Sequence, residues 1–252
     1  VNAPIGLGNP VPGPIAPLIA IPTTAGTGSE TTGVAIFDFV ELSAKTGIAH
    51  RYIKPILGLV DPDITFTVPP EVAASTGVDV LCHALESYTA MPFCQRPYPG
   101  RPTLRPSYQG SNPISDVWAL EAMRLVAEFL PRVVADAADV TARANMLLAS
   151  TMAGMGFGSA GVHLPHGMSY PVAGLVERYL HPGYPVSYPI VPHGVAVIVN
   201  APAVFKFTAS ACPERHLNAA EVLGANINGV GLDQSGEIHS YRIMQLMREL
   251  GM

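Results

Sequence analysis

Asp79 and His83 stand four residues apart in a stretch built from Ala, Val, Leu and Glu, with no Pro between positions 71 and 91. That composition reads as a helix. Positions i and i+4 share one helix face, a turn apart. A carboxylate oxygen and an imidazole nitrogen would then aim at one point, which is half of a divalent-metal site. Taken alone, the pair is better explained as a salt-bridged surface couple. Two further histidines change the balance. His166 ends a run of small residues from 154 onward, whose glycines permit close backbone approach. His193 sits in Val191-Pro192-His193-Gly194 between apolar neighbours. A lone His there is more often a core residue than a ligand. Together, Asp79, His83, His166 and His193 supply one carboxylate and three imidazoles. That set suffices for a catalytic divalent ion with a position left open to substrate.

The elements that must position these residues fall into two textures. Residues 17–22 are a short apolar run that reads as a buried strand. The run enters the turn Thr23-Thr24-Ala25-Gly26-Thr27-Gly28-Ser29-Glu30, whose backbone N–H groups and hydroxyls suit phosphate. An ordinary turn explains the composition equally well. Further strands are expected at 34–38 and 56–60, with Lys45 on a polar connection between them. Lys45 can serve a phosphate or ribose as a point charge, though a lone Lys is more often solvated. From residue 69 the pattern turns helical, over 71–91, 113–137, 139–160, 214–224 and 236–250. Asn112 followed by Pro113 makes a good N-cap and first-turn pair. The chain thus divides into an α/β portion (1–67) and a mainly helical portion (68–252). Residues 1–16, 92–110 and 175–190 read as loops. The second holds Arg96, Arg101 and Arg105, and a solvated excursion is favoured there over a substrate-binding role.

Composition limits the function classes. At 252 residues the chain can build a sizeable core. Its net charge of −5 argues against nucleic acid or an acidic membrane surface as partner. Only 13% of residues are charged, so much surface is expected to be buried, including a homo-oligomer interface. Cys82, Cys94 and Cys212 show no CxxC spacing, which fits a reducing compartment rather than secretion. No uninterrupted apolar run reaches transmembrane length and no basic leader precedes one. Val1 at the start and a helix-like pattern at the end suggest a fragment of a longer protein.

The motifs resemble those of the iron-containing (group III) alcohol dehydrogenase family. The carrying segments are Pro22 to Glu30, Gly77-Val78-Asp79 through His83-Ala84-Leu85-Glu86, His166-Gly167-Met168 and Pro192-His193-Gly194, in the family's order. Within the family, the stretches around Asp79–Tyr88, Tyr108–Asp116, Gly161–Pro171 and Pro213–Leu217 are similar to the hydroxyacid–oxoacid transhydrogenase branch. The resemblance implies a dehydroquinate-synthase-like fold, α/β plus all-α. The tail of a Rossmann-like nucleotide domain would precede a helical metal-binding domain, without the upstream pyrophosphate loop or the last helices. By position, the metal ligands would be Asp79, His83, His166 and His193. The metal would be Fe2+, although the donors suit Zn2+ too. Thr23, Thr24, Ser29 and Lys45 would contact NAD. A family histidine four residues after the third ligand is replaced by Tyr170, so a proton relay would use Tyr170 or His163.

The implied reaction is hydride transfer from 4-hydroxybutyrate, through bound NAD, to 2-oxoglutarate. Both substrates are acids, so a cation should meet the carboxylate. Arg101 and Arg105 are the candidates. The implied compartment is the mitochondrial matrix in a eukaryote and the cytoplasm in a bacterium. Three alternatives remain: an NAD(P)-dependent alcohol dehydrogenase of the same family, a metal-dependent hydrolase using the same donors, and a catalytically silent fragment.

Overall fold

The computed structural model describes residues 6–9, 11–42, 44–102, 105–184 and 186–252. Parts of the three expected loops, at 1–5, 10, 103–104 and 185, lie outside the described residues. Among the described residues, strands occupy only the N-terminal portion. The parallel pair is β1 (Ile19–Ala20) beside β4 (Leu57–Gly58). The antiparallel pair is β2 (Val34–Phe39) beside β3 (Ala44–Ala49), with Asp38 opposite Lys45. Lys45 therefore stands on a strand, not on the polar connection expected for it. The sequence of β3, Ala44-Lys45-Thr46-Gly47-Ile48-Ala49, carries little strand propensity of its own. Its Gly47 is a point of close approach: a Cβ there would lie 2.8 Å from the Ala35 carbonyl oxygen.

From Pro70 onward the chain is helical. Helix α1 (Pro70–Thr89) has Pro in its first turn, and 16 of its 20 residues are buried. It is the axis on which α2 (Pro113–Ala135) and α3 (Val140–Ala160) pack. Asn112 caps α2, its Oδ1 accepting from the N–H groups of Ile114 and Ser115 at 3.1 and 3.0 Å. Asp139 caps α3 by accepting from Ala142 N–H at 2.9 Å. Gly77 lets α1 and α2 approach, since any Cβ there would collide with Leu130. The core joins Val78, Leu81 and Leu85 of α1 to Met123, Leu130, Ala149 and Ala153. Helices α7 (Pro213–Val222) and α8 (Ser235–Glu249) close it near the expected bounds.

Three helices run through sequence without a clear helical signal: α4 (Leu164–Gly174), α5 (His193–Ile198) and α6 (Ala201–Thr208). Pro165 and Pro171 sit inside α4, so its sequence looks like a loop. The span His193–Ala211 is apolar and long enough to cross a bilayer, contrary to the expectation. Here it breaks at Asn200 into two short helices, and Ala196, Val197, Ile198, Ala201 and Phe205 are fully buried against the other helices. That burial is ordinary core packing.

Candidate metal centre

Helix α1 brings Asp79 and His83 to the protein interior, where they are 2% and 5% exposed. Helix α4 adds His166, also buried, and the first residue of α5 adds His193. Asp79 is the hub. Its Oδ2 lies 3.9 Å from His83 Nδ1, and its Oδ1 lies 3.4 Å from His166 Nε2 and 3.8 Å from His193 Nε2. One donor atom from each of Asp79, His83 and His166 falls within 4.8 Å of the others. Gly194 makes this convergence possible. A Cβ there would collide with the Ser75 carbonyl oxygen of α1, so only glycine lets α5 come close enough to deliver His193.

Asp79 Oδ1, His83 Nδ1 and His166 Nε2 are buried and have no hydrogen-bond partner among the described residues. Buried polar atoms are rarely left so, and three converging orphans are costly unless a cation completes them. One carboxylate and three imidazoles match a divalent transition metal. The residues present fit such an ion.

Electrostatics divide the four residues. Burial alone would raise the Asp79 carboxyl, but the positive charge of the imidazoles around it when protonated, His83 first, outweighs burial and places the carboxyl below its usual range. Burial pushes His83 down to about 4 and lowers His193 as well, which leaves both neutral. Neutral imidazole is the ligating form. His166 differs: burial lowers it, yet Glu86 and Asp79 together push it up to about 10.

Glu86 is the functional residue that the sequence reading passed over. It is fully buried on α1. Its Oε1 lies 2.5 Å from His166 Nδ1, and its Oε2 accepts from the His163 backbone N–H at 2.5 Å. Its carboxyl is held below the usual range, against burial, by His166 and then His163. The carboxylate fixes the His166 ring with Nε2 turned toward Asp79, as carboxylates behind ligating histidines do. The signal was available: Glu86 follows His83 by three residues and Asp79 by seven, on the same helix face.

The centre lines a cavity of about 510 Å³. Ser29 and Lys45 line it beside His83, His166 and His193, and Thr27 and Thr32 join from the same turn. Thr23 and Thr24 lie at the start of that turn, outside the lining. The turn is seated on α3 by paired glycines: Gly28, at φ +58, meets Gly154, and a Cβ on either would strike the other's backbone. The small residues of α3 thus hold Ser29 over the metal centre. Lys45 Nζ donates to Asp38 Oδ1 at 3.0 Å.

Tyr170 lines the same cavity, with its phenol raised by burial. His163 does not line it. Its Nε2 lies 3.0 Å from Thr89 Oγ1, whose own proton goes to the Leu85 carbonyl, so His163 donates there. Arg101 is exposed, and Arg105 lines a different cavity. Neither expected carboxylate-binding arginine therefore faces the metal centre. Tyr108, which sequence reading noted only as part of a motif, does.

Models of known families match both portions. The model described as "Fe-containing alcohol dehydrogenase family, C-terminal" matches residues 107–252, and "Iron-containing alcohol dehydrogenase" matches residues 1–62. The chain belongs to the iron-containing alcohol dehydrogenase family. Among relatives, it is 57% identical over 251 residues to the mitochondrial hydroxyacid-oxoacid transhydrogenase of Rattus norvegicus, covering 99% of this chain and 54% of that one. The Homo sapiens protein of the same name is 55% identical over the same shares. The chain spans about half the length of these curated relatives. Among solved structures, a 1,3-propanediol oxidoreductase superposes with a TM-score of 0.79 at 30% identity, over 96% of this chain and 55% of that one. Sulfoacetaldehyde reductase from Bifidobacterium kashiwanohense, in complex with NAD+, gives 0.71 at 30% identity over 94% and 52%. The expected dehydroquinate-synthase-like architecture, α/β strands followed by a helical portion, is thus shared with solved members of the family. The family descriptions name alcohol dehydrogenases and give the hydrolase alternative no support.

Proposed function

We propose that this chain carries the metal half of a hydroxyacid–oxoacid transhydrogenase, which moves hydride from 4-hydroxybutyrate to 2-oxoglutarate through a retained NAD. The observation that supports it most is the convergence of unpartnered Asp79, His83 and His166 atoms on one buried point, in a chain 57% identical to such enzymes. Asp79, His83, His166 and His193 would hold the ion, which is Fe2+ in this reading, with Zn2+ suited to the same donors. When bound, the ion polarises the substrate's reacting oxygen.

The chain's own residues do the rest. Thr23, Thr24 and Ser29 offer their turn to the nucleotide. Lys45, the lysine of the cavity wall, meets an anionic group of cofactor or substrate. Tyr170 stands at the cavity wall where a proton must enter or leave, and we assign it the relay in preference to His163, which is turned toward Glu86 and Thr89. The nucleotide portion ends near residue 67, and the metal-binding portion follows. The names of the relatives support a mitochondrial compartment, and the reading takes the matrix and a homo-oligomer as its further parts.

The test is incubation of the purified parent protein with 4-hydroxybutyrate and 2-oxoglutarate and no added NAD. Formation of 2-hydroxyglutarate, lost in Asp79→Ala and His193→Ala, is the expected result. A second reading, an NAD(P)-dependent alcohol dehydrogenase, draws on the likeness to the NAD+-bound reductase. It requires that product form only when free NAD and an alcohol are supplied.

A further inference from the structure

We propose that the loop tied off between Met91 and Ser111 carries a second anion site, in which Arg96 and Arg105 take a small doubly charged anion. Residues 92–113 contain three arginines and no Asp or Glu, in a chain whose net charge is −5. The two ends of the loop are tied together. Phe93 N–H donates to Ser111 O at 3.0 Å, Ser111 N–H to Met91 O at 3.2 Å, and Ser111 Oγ to Ala90 O at 2.8 Å. Six prolines between 92 and 113 restrict the unfolded chain. Gly110, at φ +96, is required: a Cβ there would strike Met91 O and lie 3.0 Å from Arg96 Nε.

The loop borders a cavity of about 850 Å³ whose lining includes Arg96, Arg105, Gln109, Phe93 and Tyr98, and no carboxylate. Arg96 Nε is buried, with no hydrogen-bond partner among the described residues. Among the described residues, neither Arg96 nor Arg105 meets a carboxylate, whereas Arg124, Arg132, Arg215 and Arg242 each do. A guanidinium is built for the paired oxygens of carboxylate or phosphate. Two of them over one cavity favour a dianion, and Phe93 and Tyr98 supply walls for a short apolar body. Succinate-like dicarboxylates and phosphate share that chemistry.

This cavity is separate from the metal centre. The strap from Tyr108 to Gly110 divides them, bonded to α3 through Gln109 N–H to Ser159 O at 2.8 Å and Gly110 N–H to Ala160 O at 3.0 Å. Tyr108 faces the metal cavity and Gln109 the arginine cavity. The inference does not depend on the proposed reaction.

The experiment is calorimetric titration of the metal-free protein, at low ionic strength, with succinate and separately with inorganic phosphate. Saturable binding of either is expected, preserved in His193→Ala and weakened roughly tenfold or more in Arg105→Gln and in Arg96→Gln. Arg105 is exposed, so its variant keeps the fold if Arg96→Gln does not. Preference for phosphate or for succinate identifies the ligand class, and either preference supports the site. No saturable binding, affinity unchanged by Arg105→Gln, or loss of binding in His193→Ala would each overturn it. The last would put the anion in the metal cavity instead.

Discussion

Replacing Glu86 by Gln should weaken metal binding while leaving the fold intact. Both Glu86 oxygens act as acceptors, one facing His166 Nδ1 and one taking the His163 backbone N–H, each at 2.5 Å. A glutamine of the same shape has one oxygen and one NH2 group. If its oxygen faces His163, its NH2 faces His166 Nδ1 and favours the tautomer with the proton on Nε2, the atom turned toward Asp79. If it flips, its NH2 confronts the His163 N–H. Either way a buried position is mismatched, and in the first arrangement the ligating lone pair is lost. Losses behind a ligating histidine are about 10–100-fold in metal affinity, or about 1.4–2.8 kcal/mol. The assay is competition between apo-protein and a chelator for Zn2+ or Co2+ at neutral pH, with circular dichroism to verify the fold. Glu86→Ala should do worse, because it leaves the His166 ring free to turn. Affinity for Glu86→Gln within twofold of wild type, with the fold retained, would refute the positioning role.

Other outcomes follow from the same geometry. Gly194→Ala pushes α5 off α1 at the Ser75 carbonyl, costing about 1–3 kcal/mol. Metal titration should show one ligand's worth of lost affinity, as in His193→Ala. On the proposed reading, Lys45→Ala should raise KM for the acid substrate or weaken NAD binding about tenfold, with kcat changed less and the difference fading at high salt. Acid stability should depend on the buried pair His216 and His239, whose Nδ1 atoms lie 2.9 Å apart. Burial pushes them down to about 4 and about 3. Both folded values lie below the unfolded one. Stability is therefore full above about pH 6.5 and falls as pH drops through the window toward 4 and 3. At pH 5 each costs about 2 kcal/mol. Urea titrations at pH 7 and 5 should show that loss, and His239→Leu should flatten it. An equal slope in the variant would assign the acid sensitivity to other groups.

What was legible in this sequence follows the kind of signal each part left. The five expected helices were legible from composition and pattern, α2 also from its Asn112–Pro113 cap; the Asp139 cap of α3 emerged only from the structure. The strand pair β2–β3 was half visible, because β3 is held by its partner rather than by its own residues. Helices α4 and α5 were hidden by proline and by shortness, yet they carry His166 and His193. Their histidines were found by residue type and motif, not by predicted structure. Where only tertiary contact decides, spacing was silent. Nothing in the order of residues says that Arg105 turns away from the metal while Tyr108, three positions on, turns toward it. That division follows from the strap's bonds to α3, made by residues some fifty positions apart. Glu86 is the instructive case between these extremes. Its helix face was readable, but its role depends on His166 arriving from α4, eighty residues downstream. A carboxylate one turn beyond a histidine already aimed at the metal, on the same helix face, is a signal that a second histidine must come to it from elsewhere.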